Sequence, residues 1–278
     1  RGTEESVIRQ IQGLFRDAQV DIISDFNIFH PQGVVSGVYL RQKRSYALPI
    51  RTYLEAQVDT FSPILSSLSK IQIAGEGMAI QVIGKSTLPE ARKNIMNIRR
   101  NIQKGKNLDD ALQAKGWFSS INDLFFAKAD SGKEAESNKV VDTEIIKALD
   151  SKIAKPILGV NVRLIASAPS KMRADELLSG FIGSFSQFTT PQRNEFKFVK
   201  PGNMDEFLAG FSFRRFSGKE TMILNSEELA SIFHLPGKST NVPHIKWLKS
   251  RESEPPENLP TSGTLIGDSM FRGTAKSI

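Results

Sequence analysis

Residues 88–104 give the clearest local signal in the chain, an amphipathic helix with a defined start and end. Thr87, Pro89 and Glu90 form a capping-box pattern with proline in the first turn, and Gly105 follows as a stop signal. Apolar side chains step by three and four residues along one face, at Leu88, Ala91, Ile95, Ile98 and Ile102. The pattern predicts a helix that packs through this face.

The composition is that of a globular chain. Its 278 residues are enough for one large domain or two ordinary ones, and 39% are hydrophobic while 24% are charged. No apolar run approaches the roughly 18 residues that span a bilayer. The sequence begins at Arg1 rather than Met, so we expect an excised or processed piece and leave an upstream membrane anchor open.

Residue types narrow the chemistry further. Cysteine is absent, which excludes disulfides and thiolate metal sites. The three histidines, His30, His234 and His244, are too scattered to predict a zinc or iron site. The net charge of +7 is moderate for this length, so it fits either a surface for nucleic acid or anionic lipid, or an ordinary solvated surface.

Helix and strand patterns alternate through the first half. The predicted elements are a helix over 3–17, a strand over 20–26, a hairpin pairing 34–40 with 45–50, a helix over 63–69 and a strand over 78–83. An amphipathic pattern over 107–129, broken at Gly116, then leads to the linker 131–139. Its Trp and Phe residues fit either a partner-binding helix or a small satellite core.

The second half repeats this alternation. We predict a helix over 142–153, a strand over 160–166, a helix capped by Ser170, and strand patterns at Phe196 and Phe198 and again at Phe211 and Phe213. Strand, helix and strand in this order predict a right-handed βαβ unit.

These patterns predict an α+β fold made of two ferredoxin-like, βαβ-containing units. The expected boundaries are 1–106 for the first unit, 107–139 for a helical insertion and linker, 140–235 for the second unit, and 236–278 for a Pro-rich connector.

The sequence GKST occurs twice, at Gly84–Thr87 and Gly237–Thr240. A phosphate-binding P-loop needs a first glycine five residues before GKST, where its backbone can wrap the phosphates. That position holds Ala79 in the first copy and Ile232 in the second. We therefore predict no nucleotide site at either copy, and we assign no catalytic, cofactor-binding or metal-binding residue.

Basic residues supply the candidate binding positions. Arg92, Lys93, Arg99, Arg100 and Lys104 lie opposite the apolar stripe of the 88–104 helix, where they could contact phosphates or anionic lipid. Arg214 and Arg215 lie beside Phe211, Phe213 and Phe216, a mixture typical of single-strand binders. The alternatives are a solvated helix face and a strand whose phenylalanines face the core.

The segment Ile223–Pro260 links a capped helix to a Pro-rich strap, with the run LNSEELASIFHLP followed by PPENLP. It resembles the region before the motor domain in TraG-like ATPases of conjugation and type IV secretion, within the FtsK/HerA translocase superfamily. Further pieces of the resemblance are LPIRTY at 48–53, FSPI at 61–64, GEGMAIQ at 75–81 and NVRL at 161–164. It spans most of residues 5–275.

The resemblance implies a parent that hydrolyses ATP with Mg²⁺ and translocates DNA or protein, as a ring on the cytoplasmic face of a bacterial inner membrane. Expected partners are its own ATPase domain, sibling subunits, membrane secretion components and DNA. The motor P-loop would lie beyond Ile278, so no catalytic residue is carried over. The chain itself would then be a non-enzymatic accessory region, and the alternative is a nucleic-acid-binding module that uses the basic 88–104 helix face.

Overall fold

The structure, a computed structural model, describes residues 2–14, 20, 27–71, 75–86, 89–113, 143–190, 193–235, 264, 267–271 and 274–277. In chain order its elements are α1 (Gly2–Leu14), β1 (Val34–Gln42), α2 (Tyr53–Ala56), α3 (Ser62–Leu68), β2 (Gly77–Ser86), α4 (Pro89–Gln103), α5 (Leu108–Gln113), α6 (Thr143–Ala154), β3 (Ile157–Ala168), α7 (Lys171–Gly183), β4 (Phe196–Val199), α8 (Met204–Ser212), β5 (Met222–Asn225), α9 (Ser226–Ile232), β6 (Asp268–Phe271) and β7 (Thr274–Ser277).

The chain divides into two compact units. A terminal unit comprises Arg1–Asn27 and Ile245–Ile278, and its described parts include α1 and the antiparallel pair β6–β7. A central unit comprises Ile28–His244 and holds all other elements.

The central unit is built on one antiparallel sheet with the order β2-β3-β1-β4, and β5 also pairs with β3. Strand β3 is the middle of this sheet, and its residues from Gly159 to Ala168 are all buried. Leu164 of β3 lies opposite Val38 of β1 on one side and Ile80 of β2 on the other. A long strand paired on both sides in this way fixes the register of its neighbours, since a slip by one residue would turn every side chain to the wrong face.

The connections make this sheet a ferredoxin-like arrangement. The path β1–α3–β2 and the path β3–α7–β4 are two βαβ halves, and each half leaves a gap that a strand of the other half fills. The predicted α+β class is therefore confirmed.

The prediction that 1–106 and 140–235 form separate units is wrong, because their strands interleave in one sheet. The physical reason is hydrogen bonding. Strands β1 and β2 are not neighbours, so the first half alone would leave buried backbone donors and acceptors unpaired.

Helices α3 and α7 cover one face of the sheet. Alternate residues of β3, among them Val162 and Leu164, point into this layer and are fully buried. Phenylalanines from the turn after α7 and from β4 fill it, with ring centroids of Phe185 and Phe188 5.8 Å apart and those of Phe188 and Phe196 5.6 Å apart. Ser170 caps α7 as predicted, and its side chain accepts a hydrogen bond from the Arg173 N–H.

The apolar stripe of α4 forms a second core. Ile95, Ile98 and Ile102 are buried against α5 and α6, together with Leu48 and Leu149. The predicted packing face of this helix is thereby confirmed, while Thr87 and Leu88 of its predicted capping box lie outside the described residues.

Two strand predictions are wrong. Residues 45–50 do not pair with β1; they form a turn closed by a bond from Leu48 N to Ser45 O, and Leu48 and Ile50 are buried in cores instead of alternating on a sheet. Phe211 belongs to α8 and Phe213 caps its end, so the repeated phenylalanines follow a helix that begins at the Asn203 cap. Helix α2 and strand β5 were not predicted.

Several predicted segments lie outside the described residues. They are most of the strand 20–26, the part of 107–129 after α5, the linker 131–139, and most of the connector 236–278.

Gly37 lets α8 approach the second face of the sheet. A Cβ on Gly37 would lie 2.6 Å from Cε1 of the buried Phe207 ring. We expect Gly37→Ala to lower the free energy of unfolding by about 1–3 kcal/mol, because the ring would have to move within a packed layer. Urea denaturation measures this difference.

Gly84→Ala in strand β2 of the same sheet is the matched control, since no heavy atom lies within 4 Å of its added Cβ. This variant should stay within about 0.5 kcal/mol of the wild type. Equal stability of the two variants would contradict the packing described for Phe207.

Candidate functional site

The start of α9 lies within the run LNSEELASIFHLP and carries a dense set of polar contacts. Asn225 caps the helix, its side chain accepts from the Glu228 N–H, and Glu228 accepts in return from the Asn225 N–H at 2.7 Å. This reciprocal capping box satisfies two helix-start donors. Glu227 and Glu228 both lie in the first turn of α9, where carboxylates interact favourably with the helix dipole.

A buried ion pair lies beneath this cap. Lys152 Nζ of α6 is 2.5 Å from Glu228 Oε2, and both side chains are fully buried. Lys152 also donates to Ile223 O, and Glu228 Oε1 accepts from the Ile50 N–H at 2.9 Å. Burial lowers the pKa of Lys152, while the Glu228 carboxylate opposes this change. Removing one partner of such a pair typically costs about 3–5 kcal/mol, because the remaining charge stays buried.

Glu227 makes a second, outer set of contacts. Its carboxylate accepts from Thr52 Oγ1 at 2.6 Å and pairs with Lys155 Nζ. Burial acts to raise the pKa of Glu227, but the hydrogen bonds from Lys155 and Thr52 outweigh it, so the pKa is lowered. Ser231 makes further contacts with the same part of the chain. Its Oγ accepts from Tyr53 N, and its carbonyl accepts from Thr60 Oγ1.

These contacts join segments that are far apart in sequence. The run 48–53 meets the run 223–231 through Glu228, Glu227 and Ser231. The runs 75–81 and 161–164 meet in the sheet where Ile80 and Gln81 lie opposite Leu164 and Arg163, and Gln81 accepts from Arg163 Nη1 at 2.8 Å. These four described runs are therefore neighbours in pairs, and polar groups of each pair bond to one another.

An exposed apolar surface lies where α9 ends, and we call it the α9-end surface. It consists of Tyr53, Leu54, Val58, Phe233 and Leu235, whose exposed fractions range from 41% to 61%. These residues come from two segments, 53–58 and 233–235. The segments are held together because Phe233 packs edge-on against Phe61, with ring centroids 5.4 Å apart. His234 also joins them, with Nδ1 2.8 Å from Ala230 O and Nε2 3.0 Å from Asp59 Oδ1. The contact with Ala230 O satisfies one of the last carbonyls of α9.

The predicted basic helix face is only partly free. Arg92, Lys93, Arg100 and Lys104 are exposed on α4. Arg99 instead forms a two-pronged pair with Asp150 of α6, with Nη2 3.1 Å from Oδ2. Four of the five predicted α4 residues thus share an accessible surface, and the fifth fixes α4 to α6.

Arg214 and Arg215 lie on a loop after α8, far along the chain from α4. Both are exposed, and the Arg215 guanidinium lies 5.5 Å from the centre of the Phe213 ring. Phe211 is half-buried with its ring edge-on to Phe29, and Phe216 is half-buried beneath Lys85. Only Phe213 of the three predicted aromatics is a free platform.

The first GKST copy is part of a strand. Gly84, Lys85 and Ser86 continue β2 and lie opposite Val160, Gly159 and Leu158 of β3. An extended backbone cannot form the curved cradle of a P-loop. The second copy lies outside the described residues, as does Thr87.

The described parts of the chain offer neither a metal site nor a membrane span. There, no group of three or more His, Asp or Glu side chains is placed to hold a metal ion. No helix in these parts has the length and apolar character needed to cross a membrane.

The family model described as Domain of unknown function (DUF8128) matches residues 1–248. The chain belongs to this family. No curated protein and no solved structure matches it. The matched residues include the whole described central unit of this DUF8128 member. They therefore contain the Asn225 cap of α9 and the loop with Arg214 and Arg215.

The buried pair of Lys152 and Glu228 was not predicted from the sequence, although the position of each residue gave an indication. Lys152 falls on the apolar face of α6, seven residues after Ile145, where a charge needs a partner. Glu228 stands three residues after Asn225, which is capping-box spacing. That Lys152 pairs with Glu228 depends on the tertiary fold, because the two residues are 76 positions apart in the sequence.

The lowered pKa of Glu227 predicts a pH-dependent contribution to stability. A carboxyl group whose pKa is lower in the folded state stabilises the fold fully above its ordinary value of 4.5, and this contribution is lost as pH falls through the lowered pKa. Glu227→Gln should therefore be less stable than wild type by about 1 kcal/mol near pH 7. The difference should shrink as the pH falls below about 4.

Urea denaturation across this pH range tests the prediction. Glu176→Gln is the control, since that carboxylate is 68% exposed and its partner Arg173 keeps Glu76. A Glu227→Gln difference that stays constant from neutral to acid pH would show that the charge of Glu227 has no part in it.

Proposed function

We propose that this DUF8128 chain is the non-catalytic N-terminal accessory region of a type IV secretion or conjugative DNA-translocation ATPase. It serves docking, assembly or substrate hand-off, next to a motor that binds ATP and Mg²⁺. Its partners in this proposal are its own ATPase domain, sibling subunits, membrane secretion components and DNA. It would act at the cytoplasmic face of a bacterial inner membrane.

The α9-end surface is the observation that carries this proposal. Isolated exposed apolar residues are ordinary, but a cluster of them on two adjoining segments is typical of a protein-binding surface. Phe233 and Leu235 follow α9 directly, so this surface lies beside the chain as it leads on to residue 236.

Rigidity adds to the case for docking. The surface is held from beneath by the Lys152–Glu228 pair, by Ser231 and by the Phe61–Phe233 contact. A preorganised surface loses little conformational entropy on binding, which favours affinity. It would also transmit a displacement of the following domain into α6 and the sheet, because Glu228 bonds to both α6 and the 48–53 segment.

A photocrosslinking amino acid at position 54 tests the docking prediction in the host cell. Leu54 is 57% exposed within the α9-end surface, and Met172 on α7 is a control position that is even more accessible, at 82%. We expect position 54, but not position 172, to crosslink to peptides of a P-loop ATPase domain, identified by mass spectrometry. Leu54→Asp should reduce complex formation at least tenfold, the effect of losing a central apolar contact.

Two results would overturn the proposal. One is crosslinking from position 54 that does not exceed position 172 or that reaches no ATPase domain. The other is micromolar ATP binding by this chain that disappears in Lys85→Ala, which would make it a nucleotide-binding protein in its own right.

The exposed face of α4 favours a second function, nucleic-acid binding. Arg92, Lys93, Arg100 and Lys104 form a cationic strip opposite the buried Ile95, Ile98 and Ile102, and such a strip can follow a phosphate backbone. Arg99 is excluded from this strip by its pair with Asp150.

Charge reversal separates this function from a merely solvated helix face. The double variant Arg92→Glu and Arg100→Glu should weaken duplex DNA binding at low salt by at least tenfold. It should also lower the slope of log K against log salt by about 0.9 for each phosphate contact removed. Fluorescence anisotropy measures both quantities.

The matched control is Lys70→Glu with Lys200→Glu, which makes the same charge change at exposed positions outside α4. If the control weakens binding as much as the α4 variant, the DNA responds to net charge and not to this helix. If the wild type does not bind at low salt, the α4 surface has no such function.

A further inference from the structure

The loop 213–219, between α8 and β5, displays an aromatic ring among cations. Phe213 is 75% exposed, which is unusual for a phenylalanine. Arg214 and Arg215 are exposed beside it, and Lys219 follows on the same loop. We call residues 213–219 the basic loop.

The backbone of the basic loop is fixed by the end of α8. Arg215 N donates to Gly210 O at 2.8 Å and Arg214 N donates to Phe211 O at 3.0 Å, the two bonds of a Schellman motif. Arg214 occupies the left-handed position of this motif, with φ of 50°. Glycine is the usual residue there, because a side chain is strained in this conformation. Such strain in a displayed residue is more common at functional sites than elsewhere.

Arg163 supports the basic loop from inside the fold. Its guanidinium is 1% exposed and donates to Gly210 O at 3.0 Å, Arg215 O at 2.8 Å and Glu220 Oε2 at 2.6 Å. Asn161, two residues earlier on β3, binds both the N–H and the carbonyl of Ser217. The loop is therefore held at both ends by the central strand, and its outer side chains are presented in one orientation.

The surroundings of Phe213 are cationic. The Arg215 guanidinium lies 5.5 Å from the ring centre, Lys85 lies 5.8 Å from the Phe216 ring, and Arg41 donates to Lys219 O. The carboxylate of Glu220, which directly follows the loop, is paired with Arg163. The acidic residues of α8, Asp205 and Glu206, lie in its first turn, at the opposite end of the helix.

We propose that the basic loop is a contact site for single-stranded nucleic acid. One base stacks on Phe213, and the flanking phosphates lie beside Arg214, Arg215 and Lys219. Aromatic platforms set among cations bind single strands in this way, since every base offers a planar face and every nucleotide a negative charge. An anionic membrane is less suited, because interfacial binding needs a broad apolar face and this loop offers one exposed apolar side chain. The inference uses no residue of α4 and does not rest on the docking function.

Fluorescence anisotropy with the full chain tests this site. The probes are a labelled oligothymidylate of about 15 nucleotides and an abasic oligonucleotide of the same length and charge. We expect the oligothymidylate to bind at low salt, and the abasic strand to bind about tenfold more weakly because it has no base to stack.

Variants then separate stacking from charge. Phe213→Ala should weaken oligothymidylate binding about tenfold and leave abasic binding unchanged. Arg215→Gln should weaken both strands and lower the slope of log K against log salt by about 0.7. Leu54→Ala is the control, since it removes an exposed apolar side chain at the α9-end surface. Unfolding temperatures of all variants should match the wild type, because the altered side chains are exposed.

Three outcomes would overturn the inference. They are absence of oligothymidylate binding at low salt, equal affinity for abasic strands, or insensitivity of base-dependent binding to Phe213→Ala. If Phe213→Ala abolishes binding to vesicles of phosphatidylserine and phosphatidylcholine but not to oligothymidylate, the loop is a membrane contact. Loss of binding to both strands in the α4 double variant alone would assign nucleic acid to α4.

Discussion

The ion pair between Lys152 and Glu228 is the contact on which the central unit most depends. It is fully buried, so it is maintained only if every neighbouring polar group is also satisfied. Glu228 meets this condition by accepting from the N–H groups of Ile50 and Asn225, and Lys152 by donating to Ile223 O. One carboxylate thereby fixes the start of α9, the segment after β1, and helix α6.

Strand β3 has the corresponding role in the sheet. Its apolar side chains form the core under α3 and α7, while Asn161 and Arg163 on the opposite face hold the basic loop. A buried guanidinium requires several acceptors, and the carbonyls at the end of α8 provide two of them. The strand that organises the core thus also determines how the exposed loop is presented.

The α9-end surface and the basic loop are both supported by buried polar contacts, although their chemistry differs. The α9-end surface is apolar and lies over the buried ion pair, which suits a protein partner. The basic loop is cationic around a single ring and lies over Arg163, which suits an extended polyanion. In both places, buried hydrogen-bonded residues support exposed side chains that contribute little to the core.

The sequence by itself determined the class of fold and most of its local elements. The apolar steps in α4, the alternation in β3 and the Ser170 cap depend on neighbours within a few residues, and such signals can be read from one chain. The strand predictions for 45–50 and for the residues around Phe211 were wrong because they rested on short apolar repeats. Such repeats fit more than one local structure until their packing partner is known. Only the tertiary structure decided that the two βαβ halves interleave and that Arg99 is paired while Arg92 is exposed. It also decided that Phe213 is exposed while Phe211 and Phe216 are half-buried. Those outcomes depend on contacts between residues far apart in sequence, such as Ile50 with Glu228, and no local pattern specifies which distant groups will meet.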